Sequence, residues 1–339
     1  MWVSSAPLRI SLAGGGTDLP SYARRFGGTV LGATIDLRVT VVGREGPSGS
    51  GIRVCLDSCG RPETVHRIAN PYAREAVRRH WRGGPLELAS FGDVPGGTGL
   101  GSSAAFCVAL TAGLAQPSPT GAALAEAASD IEMTGLGRPV GRQDHYLAAL
   151  GGFRLLHFAN DGGVETEDVE VPGATRHRLD EELLLFFTGT TRDTGSVLAD
   201  QHTRVDRGDA DTERRLHEIK DMVPPAVAAL RNGDPATLGR LLGRHWELKR
   251  ELGRRVTSPG VDRAYQHAVE AGAIGGKLLG AGGGGYLLLY TEVAAQPDVR
   301  AAMAALGLAE QPFHFDFAGA SLTRLPAASV TTDTRRVNH

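Results

Sequence analysis

Two segments of this 339-residue chain combine glycine with polar side chains in a pattern suited to binding phosphate. The first runs from Pro95 to Ser103, and the second contains Lys277 followed by Gly282 and Gly283. Glycine at the start of a helix lets backbone N–H groups approach an anion closely, and the helix dipole favours negative charge there. The serines that close the first segment offer hydroxyl oxygens of the hard kind that Mg²⁺ prefers. The pattern indicates phosphate chemistry, and a tight packing turn is the alternative use of the same glycines.

Two common nucleotide-binding motifs are excluded by their context. The run Gly280–Gly285 fits the spacing G-x-G-x-x-G, but that fingerprint needs a strand before it and a helix after it. Here a predicted helix precedes the run and the predicted strand Tyr286–Tyr290 follows it. A Walker A loop would need Gly at 271 and Ser or Thr at 278, where the chain has Ala271 and Leu278.

Strands and helices alternate along the chain, which predicts an α/β protein. Period-two alternation and β-branched residues predict strands at Leu8–Leu12, Thr29–Val42, Ile52–Leu56, Leu86–Ala89, Leu183–Thr188, Tyr286–Tyr290 and Phe313–Phe317. Helical patterns cover Tyr72–Trp81, the apolar run to Leu114, a helix capped by Ser118 and carrying Leu124–Met133, a helix from Gln143, Thr194–Met222, Pro225–Asn232, Ala236–Gly253, Pro259–Ala271 and Pro297–Leu306. The polar stretch Asn160–Glu182 predicts a boundary between domains 1–170 and 171–330, with a frayed tail at 331–339.

The composition excludes several classes of protein. With 36 basic and 38 acidic side chains the formal charge is -2, without the basic excess that nucleic-acid binding needs. No apolar run reaches the roughly 18–20 residues that span a membrane, and the N-terminus does not read as a signal peptide. The spacing of Cys55, Cys59 and Cys107 is a poor match to a zinc site, so we expect three reduced cysteines in a cytoplasmic protein.

Three segments, in their order and spacing, resemble the GHMP kinase superfamily. They are Ala6–Asp18, Pro95–Ala105 and Lys277–Gly285. Within the superfamily, the runs AGGGTDLPSY (13–22), VGRQDHYLAALGG (140–152) and FFTGTTRDTGSVL (186–198) most resemble the heptose 7-phosphate kinases. Members of that family mostly have Lys and Gln where this chain has Arg142 and His145, and Pro where it has Gly96.

The resemblance implies a two-domain α/β kinase, with a ribosomal-protein-like N-terminal domain and a ferredoxin-like C-terminal domain. It implies that Asp144 is the catalytic base, that Arg9 is the cation beside it, and that Ser103 and Glu132 hold Mg²⁺. ATP would lie against Pro95, Gly96, Gly97, Thr98, Gly99, Leu100, Gly101, Ser102 and Ser103. The substrate would contact Gly15, Gly16, Thr17, Asp18, Gln143, Gly282 and Gly283, with Arg138, Arg142, Arg192 and Lys277 as candidates for its phosphate.

Structural roles compete with several of these assignments. Arg9 could form a purely structural ion pair, Asp18 could cap the helix that begins near Pro20, Ser103 could cap a helix, and His145 could simply be packed.

The implied activity is ATP- and Mg²⁺-dependent phosphorylation of the anomeric C1 hydroxyl of a heptose 7-phosphate, giving the 1,7-bisphosphate for nucleotide-activated heptose. The alternatives are a 1-kinase for a fucose-, hexosamine- or uronic-acid-type sugar, and an inactive relative that senses sugar. The catalytic residues present at Arg9, Ser103, Glu132 and Asp144 argue against the last. We expect a monomer or homodimer that binds small molecules and neither nucleic acid nor membrane.

Overall fold

The computed structural model describes residues 1–56, 58–191 and 194–326 and has the expected α/β architecture. Its strands are β1 Trp2–Ala13, β2 Gly28–Glu45, β3 Ile52–Cys55, β4 Cys59–Gly60, β5 Leu86–Gly92, β6 Phe153–Phe158, β7 Val164–Asp168, β8 Leu183–Phe187, β9 Gly275–Leu278, β10 Tyr286–Tyr290, β11 Ala309–Glu310 and β12 Ser321–Arg324. Its helices are α1 Pro20–Phe26, α2 Pro71–His80, α3 Ser102–Leu114, α4 Gly121–Asp130, α5 Gln143–Leu150, α6 Gly173–Glu182, α7 Thr194–Asp206, α8 Ala210–Asp221, α9 Val223–Arg231, α10 Pro235–Arg250, α11 Pro259–Glu270 and α12 Gln296–Ala305. None of the helices described is long and apolar enough to cross a membrane.

An eight-stranded sheet carries the first half of the chain. Its strand order is β12-β1-β2-β5-β3-β4, and β6 pairs with β2 and β7. Helix α3 packs on β1 and β2 of this sheet and is covered on its other sides by α2, α4 and α5, which explains its almost wholly apolar sequence. Because β12 pairs with β1 at Trp2↔Arg324, the chain returns to this sheet after completing the second one.

A four-stranded antiparallel sheet, in the order β11-β8-β10-β9, carries most of the second half. Helix α10 packs closely on β9 because glycines meet at the contact. A Cβ atom added at Gly275 would lie 2.2 Å from the carbonyl oxygen of Gly239. This close approach brings the α10 side chains beside those of β9.

Several sequence-based boundaries were wrong. Thr120 rather than Ser118 precedes α4, and the Ser118 hydroxyl instead donates to the carbonyl of Ala112. The expected helix over 194–222 is two helices, divided at the left-handed residue Gly208. Within the described part of the chain, Phe313–Phe317 contributes a single bridge, Ile35↔Phe315, rather than a strand. Strand β9, immediately before the C-terminal glycine loop, was not predicted; glycine-rich Gly275–Leu278 gives a weak strand pattern.

The prediction of reduced cysteines was wrong for Cys55 and Cys59 and correct for Cys107. Strands β3 and β4 pair Cys55 directly with Cys59, and the two side chains form a disulfide. The tight antiparallel turn, rather than any zinc-like spacing, brings them together. Cys107 is free and buried in α3.

Candidate active site

The predicted functional segments meet at a cleft of about 1020 Å³, part of which is open to solvent. Its lining comes from both sheets and the loops between them. The residues that line it include Arg9, Ser11, Gly15, Asp18, Gly99, Gly101, Ser102, Ser103, Glu132, Gln143, Asp144, His145, Gln201, His245, Lys249 and Lys277.

Arg9 and Asp144 form a two-pronged ion pair in this cleft. Arg9 Nε donates to Asp144 Oδ1 at 2.6 Å and Nη2 donates to Oδ2 at 2.5 Å. The remaining Nη1 donates to the carbonyl of Gly99 at 2.6 Å. Arg9 is buried on β1, whereas the Asp144 side chain, in the first turn of α5, keeps 24% of its surface exposed. The carboxylate is therefore held rigidly and still faces the cleft.

The first glycine-rich segment forms a loop that ends at the N-terminus of α3. Gly97, Gly99 and Gly101 all have positive φ, and Gly101 is the residue before the helix. Only Gly99, Gly101, Ser102 and Ser103 of the segment line the cleft. Pro95, Gly96 and Gly97 are exposed beyond it, while Leu100 and Thr98 are buried beneath.

The two glycine loops touch each other through their backbones. A Cβ atom at Gly99 would lie 2.6 Å from the carbonyl oxygen of Leu279, and the amide of Tyr286 donates to the carbonyl of Thr98 at 3.0 Å. Gly282 and Gly283 lie against Val256, whose carbonyl accepts from the Gly283 amide at 2.8 Å. The second loop thus supports the first, and Gly280 and Ala281 are its cleft-lining residues.

Glu132 and Ser103 offer hard oxygen ligands at one end of the cleft. Glu132 is buried in a π-helical turn, Ile131–Gly135, that continues α4. His145 Nε2 lies 2.9 Å from Glu132 Oε2, although neither ring nitrogen makes a well-aligned hydrogen bond among the described residues. Cys107, one helical turn after Ser103, completes a cluster with Glu132 and His145, and burial raises the pKa of its thiol. The hydroxyl and carboxylate oxygens fit Mg²⁺.

Asp18 lines the cleft and is held by amide donors. Its carboxylate accepts from Gln143 Nε2 at 2.8 Å, from the Gln143 amide at 3.2 Å and from the Gly16 amide at 3.3 Å. Burial, with a contribution from the charge of Asp144, raises the pKa of Asp18 to about 6. Leu19 precedes α1 without a capping side chain, so the alternative that Asp18 caps this helix was wrong.

Three buried basic side chains form another part of the cleft lining. Lys277 Nζ contacts Ser11 Oγ at 3.3 Å and His245 Nδ1 at 3.2 Å. Lys249 Nζ donates to the carbonyls of Leu278 at 2.7 Å and Gly280 at 2.6 Å. Burial lowers the pKa of Lys249 to about 7, with a contribution from Arg9. Burial and the neighbouring lysines also lower the pKa of Lys277 and of His245.

The sequence did not single out His245, Lys249, Ser11 or Gln201. One usable signal was the rarity of lysine, since the chain has three lysines, Lys220, Lys249 and Lys277, and two of them line this cleft.

Some predicted substrate residues lie elsewhere. Arg142 faces a second cavity, where Nη1 donates to Glu126 Oε1 at 2.8 Å and Nη2 donates to the carbonyl of Gly162. Arg138 stacks on the ring of Tyr72 at 4.8 Å. Thr17 is fully buried, and its hydroxyl bonds to the carbonyls of Gly14 and Thr29. Arg192 lies outside the described residues.

A glycine-rich loop at a helix start, together with a rigid carboxylate–guanidinium pair in the same cleft, is an arrangement suited to phosphoryl transfer. The profile of the GHMP kinases N-terminal domain matches residues 64–152, and the profile of the C-terminal domain matches 226–307. The chain is 30% identical over 308 residues to D-glycero-alpha-D-manno-heptose 7-phosphate kinase of Campylobacter jejuni, covering 85% of this chain and 89% of that protein.

Two further relatives agree with this match. L-fucokinase/L-fucose-1-P guanylyltransferase of Bacteroides fragilis is 25% identical over 334 residues, covering 85% of this chain and 34% of that protein. The crystal structure of a D-glycero-D-manno-heptose 1-phosphate kinase from Bacteroides thetaiotaomicron superposes with a TM-score of 0.78 at 26% identity, covering 96% of this chain and 100% of that one. The chain belongs to the GHMP kinase family, and within it to the ATP-dependent sugar kinases.

Proposed function

We propose that this kinase phosphorylates the anomeric C1 hydroxyl of D-glycero-D-manno-heptose 7-phosphate, giving the 1,7-bisphosphate. The observation that carries the chemical step is the Arg9–Asp144 pair, which holds a carboxylate at fixed orientation inside the cleft. The similarity to the Campylobacter heptose 7-phosphate kinase supports the choice of sugar. The product would feed the synthesis of nucleotide-activated heptose.

Asp144 accepts the proton of the attacking sugar hydroxyl. Phosphoryl transfer depends mainly on positioning and charge neutralisation, so the base must be ionised and correctly aimed. Arg9 aims the base, because its guanidinium binds both carboxylate oxygens, and it places a positive charge near the sugar oxygen that gains negative charge during transfer. Its third contact, to Gly99, ties this base to the phosphate-binding loop.

The loop Gly99–Ser103 binds the nucleotide phosphates. Amide groups at the start of α3 face the cleft, where the helix dipole favours negative charge. Ser103 and Glu132 would hold Mg²⁺, which when bound neutralises charge on the transferred phosphoryl group. Glu132 fits this role because it is a buried carboxylate in the lining of the cleft, and Mg²⁺ prefers such hard oxygen ligands.

Asp18 and Gln143 orient the sugar. The three amide donors that hold Asp18 leave lone pairs of its carboxylate oxygens for sugar hydroxyls. Gly141 is required beside it, because a Cβ atom there would lie 1.8 Å from Asp18 Oδ2.

The test is a screen of free sugars and sugar phosphates for ATP consumption, with phosphate positions in the product read by ³¹P and ¹³C NMR. We expect the heptose 7-phosphate to be preferred and the new phosphate to lie on C1. Efficient use of unphosphorylated fucose would favour the second candidate, a 1-kinase for another sugar, which the similarity to the fucokinase supports. No ATP turnover with any sugar would contradict both.

A further inference from the structure

The cluster of Lys277, Lys249 and His245 brings three buried basic groups together without an acidic group among their described contacts. The described contacts of the two ammonium groups are all to neutral atoms: a serine hydroxyl, an imidazole nitrogen and two backbone carbonyls. Arg9, by contrast, is neutralised by Asp144. Burial without an anionic partner lowers the pKa of all three groups, and an anion that arrives with a ligand would favour their charged forms.

The fold is built to hold these side chains together. His245 and Lys249 are four residues apart on α10 and therefore share one face. Lys277 projects from β9, and the contact between Gly239 and Gly275 brings the helix against that strand. Lys249 is also fixed by two carbonyls of the segment that leads into the C-terminal glycine loop. The ammonium groups are thus oriented before any ligand binds.

The position of the cluster suits the far end of a sugar phosphate. Ser11, which contacts Lys277, lies two residues after Arg9 on β1 and on the same face, about 7 Å along the strand. The cluster and the Arg9–Asp144 pair therefore lie next to each other along one face of β1 and line the same cleft. Gly15 lies beside the cluster, where an added Cβ atom would be 2.8 Å from Ser11 Oγ and 3.9 Å from the His245 ring.

We propose that Lys277, Lys249, His245 and Ser11 form the subsite for the phosphate that the sugar already carries. This inference rests on the proposed function, and it assigns the role to residues other than Arg142, whose guanidinium is bonded to Glu126 and Gly162. Lysine suits the site because its compact ammonium group fits among backbone carbonyls.

The experiment compares kcat/KM for D-glycero-D-manno-heptose 7-phosphate and for the unphosphorylated heptose in wild type, Lys277→Met and Lys249→Met. Methionine keeps the length of the buried stem and removes the charge. We expect the preference for the phosphorylated sugar to fall by about 10–150-fold, the value of a charge-assisted contact, with the KM for ATP unchanged. Lys220→Met is the matched control, because Lys220 also donates to two carbonyls, of Phe26 and Gly27, but lies outside the cleft.

A second measurement separates this inference from the proposed function. Inorganic phosphate should inhibit the wild type competitively with the sugar, and Lys277→Met should weaken that inhibition. If the wild type shows no preference for the 7-phosphate but this inhibition depends on Lys277, the proposed substrate is wrong and the anion subsite stands. If the wild type prefers the 7-phosphate and both variants keep the full preference, the subsite is wrong and the function stands.

Two further outcomes would overturn the subsite. One is an equal loss of kcat/KM for both sugars, which would place the lysines at the reacting centre. The other is competition by phosphate with ATP alone. Should Lys277→Met fail to fold, as judged by thermal unfolding, Ser11→Ala tests the same contact without a change of charge and should give a smaller loss of preference.

Discussion

Arg9 binds Asp144 through both carboxylate oxygens and uses its last nitrogen to bind the backbone of the phosphate loop at Gly99. One side chain therefore sets the distance between the proton acceptor and the loop that holds the phosphoryl donor. The two residues lie in different elements, Arg9 on β1 and Asp144 on α5, and are 135 positions apart in sequence. The pair exists only in the folded protein.

Asp144→Asn should keep the fold and nucleotide binding and lose most of kcat. The amide retains the shape of the side chain but cannot accept the hydroxyl proton, and removal of a general base typically costs about 10²–10⁴-fold. Steady-state kinetics on the folded variant measures this loss. Turnover near the wild-type rate would show that another group takes the proton.

Arg9→Lys should lower kcat with little effect on the KM for ATP. Lysine keeps the positive charge but cannot bind both oxygens of Asp144 and the carbonyl of Gly99 together. Loss of a charge-assisted contact corresponds to a decrease of about 10–150-fold, which we expect here in kcat. Arg44→Lys is the control, because its ion pair with Glu87 is exposed and such pairs contribute little. Equal effects in the two variants would contradict a positioning role for Arg9.

Glu132→Gln and Ser103→Ala should raise the Mg²⁺ concentration required for half-maximal rate. Each change removes a hard oxygen ligand, and the carboxylate also contributes charge, so we expect the larger effect from Glu132→Gln. A titration of activity against Mg²⁺ at saturating ATP measures both, with Glu87→Gln on the surface as the control. Identical Mg²⁺ dependence in all four proteins would place the metal elsewhere.

Site residues that stand in local sequence motifs were predicted well. Site residues that reach the cleft only through packing between distant elements were missed. Asp18, Gln143 and Asp144 stand in recognisable runs of residues and line the cleft, and each glycine loop contributes part of its length to the lining. His245 and Lys249 belong to an ordinary helical pattern on α10, and only the contact of α10 with β9 makes them part of the site. Arg142 illustrates the converse, because adjacency to Gln143 does not decide which way a long side chain turns.

Strands were predicted well where burial gives a clear pattern, as at Tyr286–Tyr290, whose observed bounds agree with the prediction. The alternation pattern missed one strand and wrongly predicted another. Gly275–Leu278 is a strand, but its glycines leave few side chains to show a period of two. Phe313–Phe317 alternates like a strand, but Phe315 and Phe317 pack on Phe153, and the segment makes a single bridge in the part of the chain described.

Gly99→Ala should destabilise the protein and raise the KM for ATP. The residue has a φ of 83°, and an added Cβ atom would lie 2.6 Å from the carbonyl oxygen of Leu279. The left-handed conformation alone costs about 1–2 kcal/mol, and the contact requires the two loops to separate. Gly260→Ala is the control: Gly260 lies in α11 with open space around its Cα, so a gain of about 0.4–1 kcal/mol is expected. Equal stability of both variants in denaturant unfolding would contradict the loop contact.

Asp18→Asn should change the pH dependence of both stability and activity. The carboxyl has a pKa of about 6 in the folded protein against 3.8 for the ordinary group, because it is buried and lies near Asp144. Between these values the folded protein holds a proton that the unfolded chain has released. The contribution of this carboxyl to the free energy of unfolding therefore falls as pH rises through the interval and is lowest above pH 6.

Asparagine does not titrate, so the free energy of unfolding of the variant relative to wild type should rise by up to roughly 3 kcal/mol between about pH 4 and pH values above 6. This rise is added to a loss that does not depend on pH, because the asparagine side chain has one acceptor oxygen and cannot accept all the amide hydrogen bonds that the carboxylate accepts. Urea unfolding at several pH values measures this difference. In wild type, kcat/KM for the sugar should also decline as pH falls below about 6, because protonated Asp18 loses acceptor capacity for sugar hydroxyls. The variant should have a raised KM for the sugar at every pH and lack this acid limb. A stability difference that does not vary with pH would show that Asp18 titrates as an ordinary carboxyl.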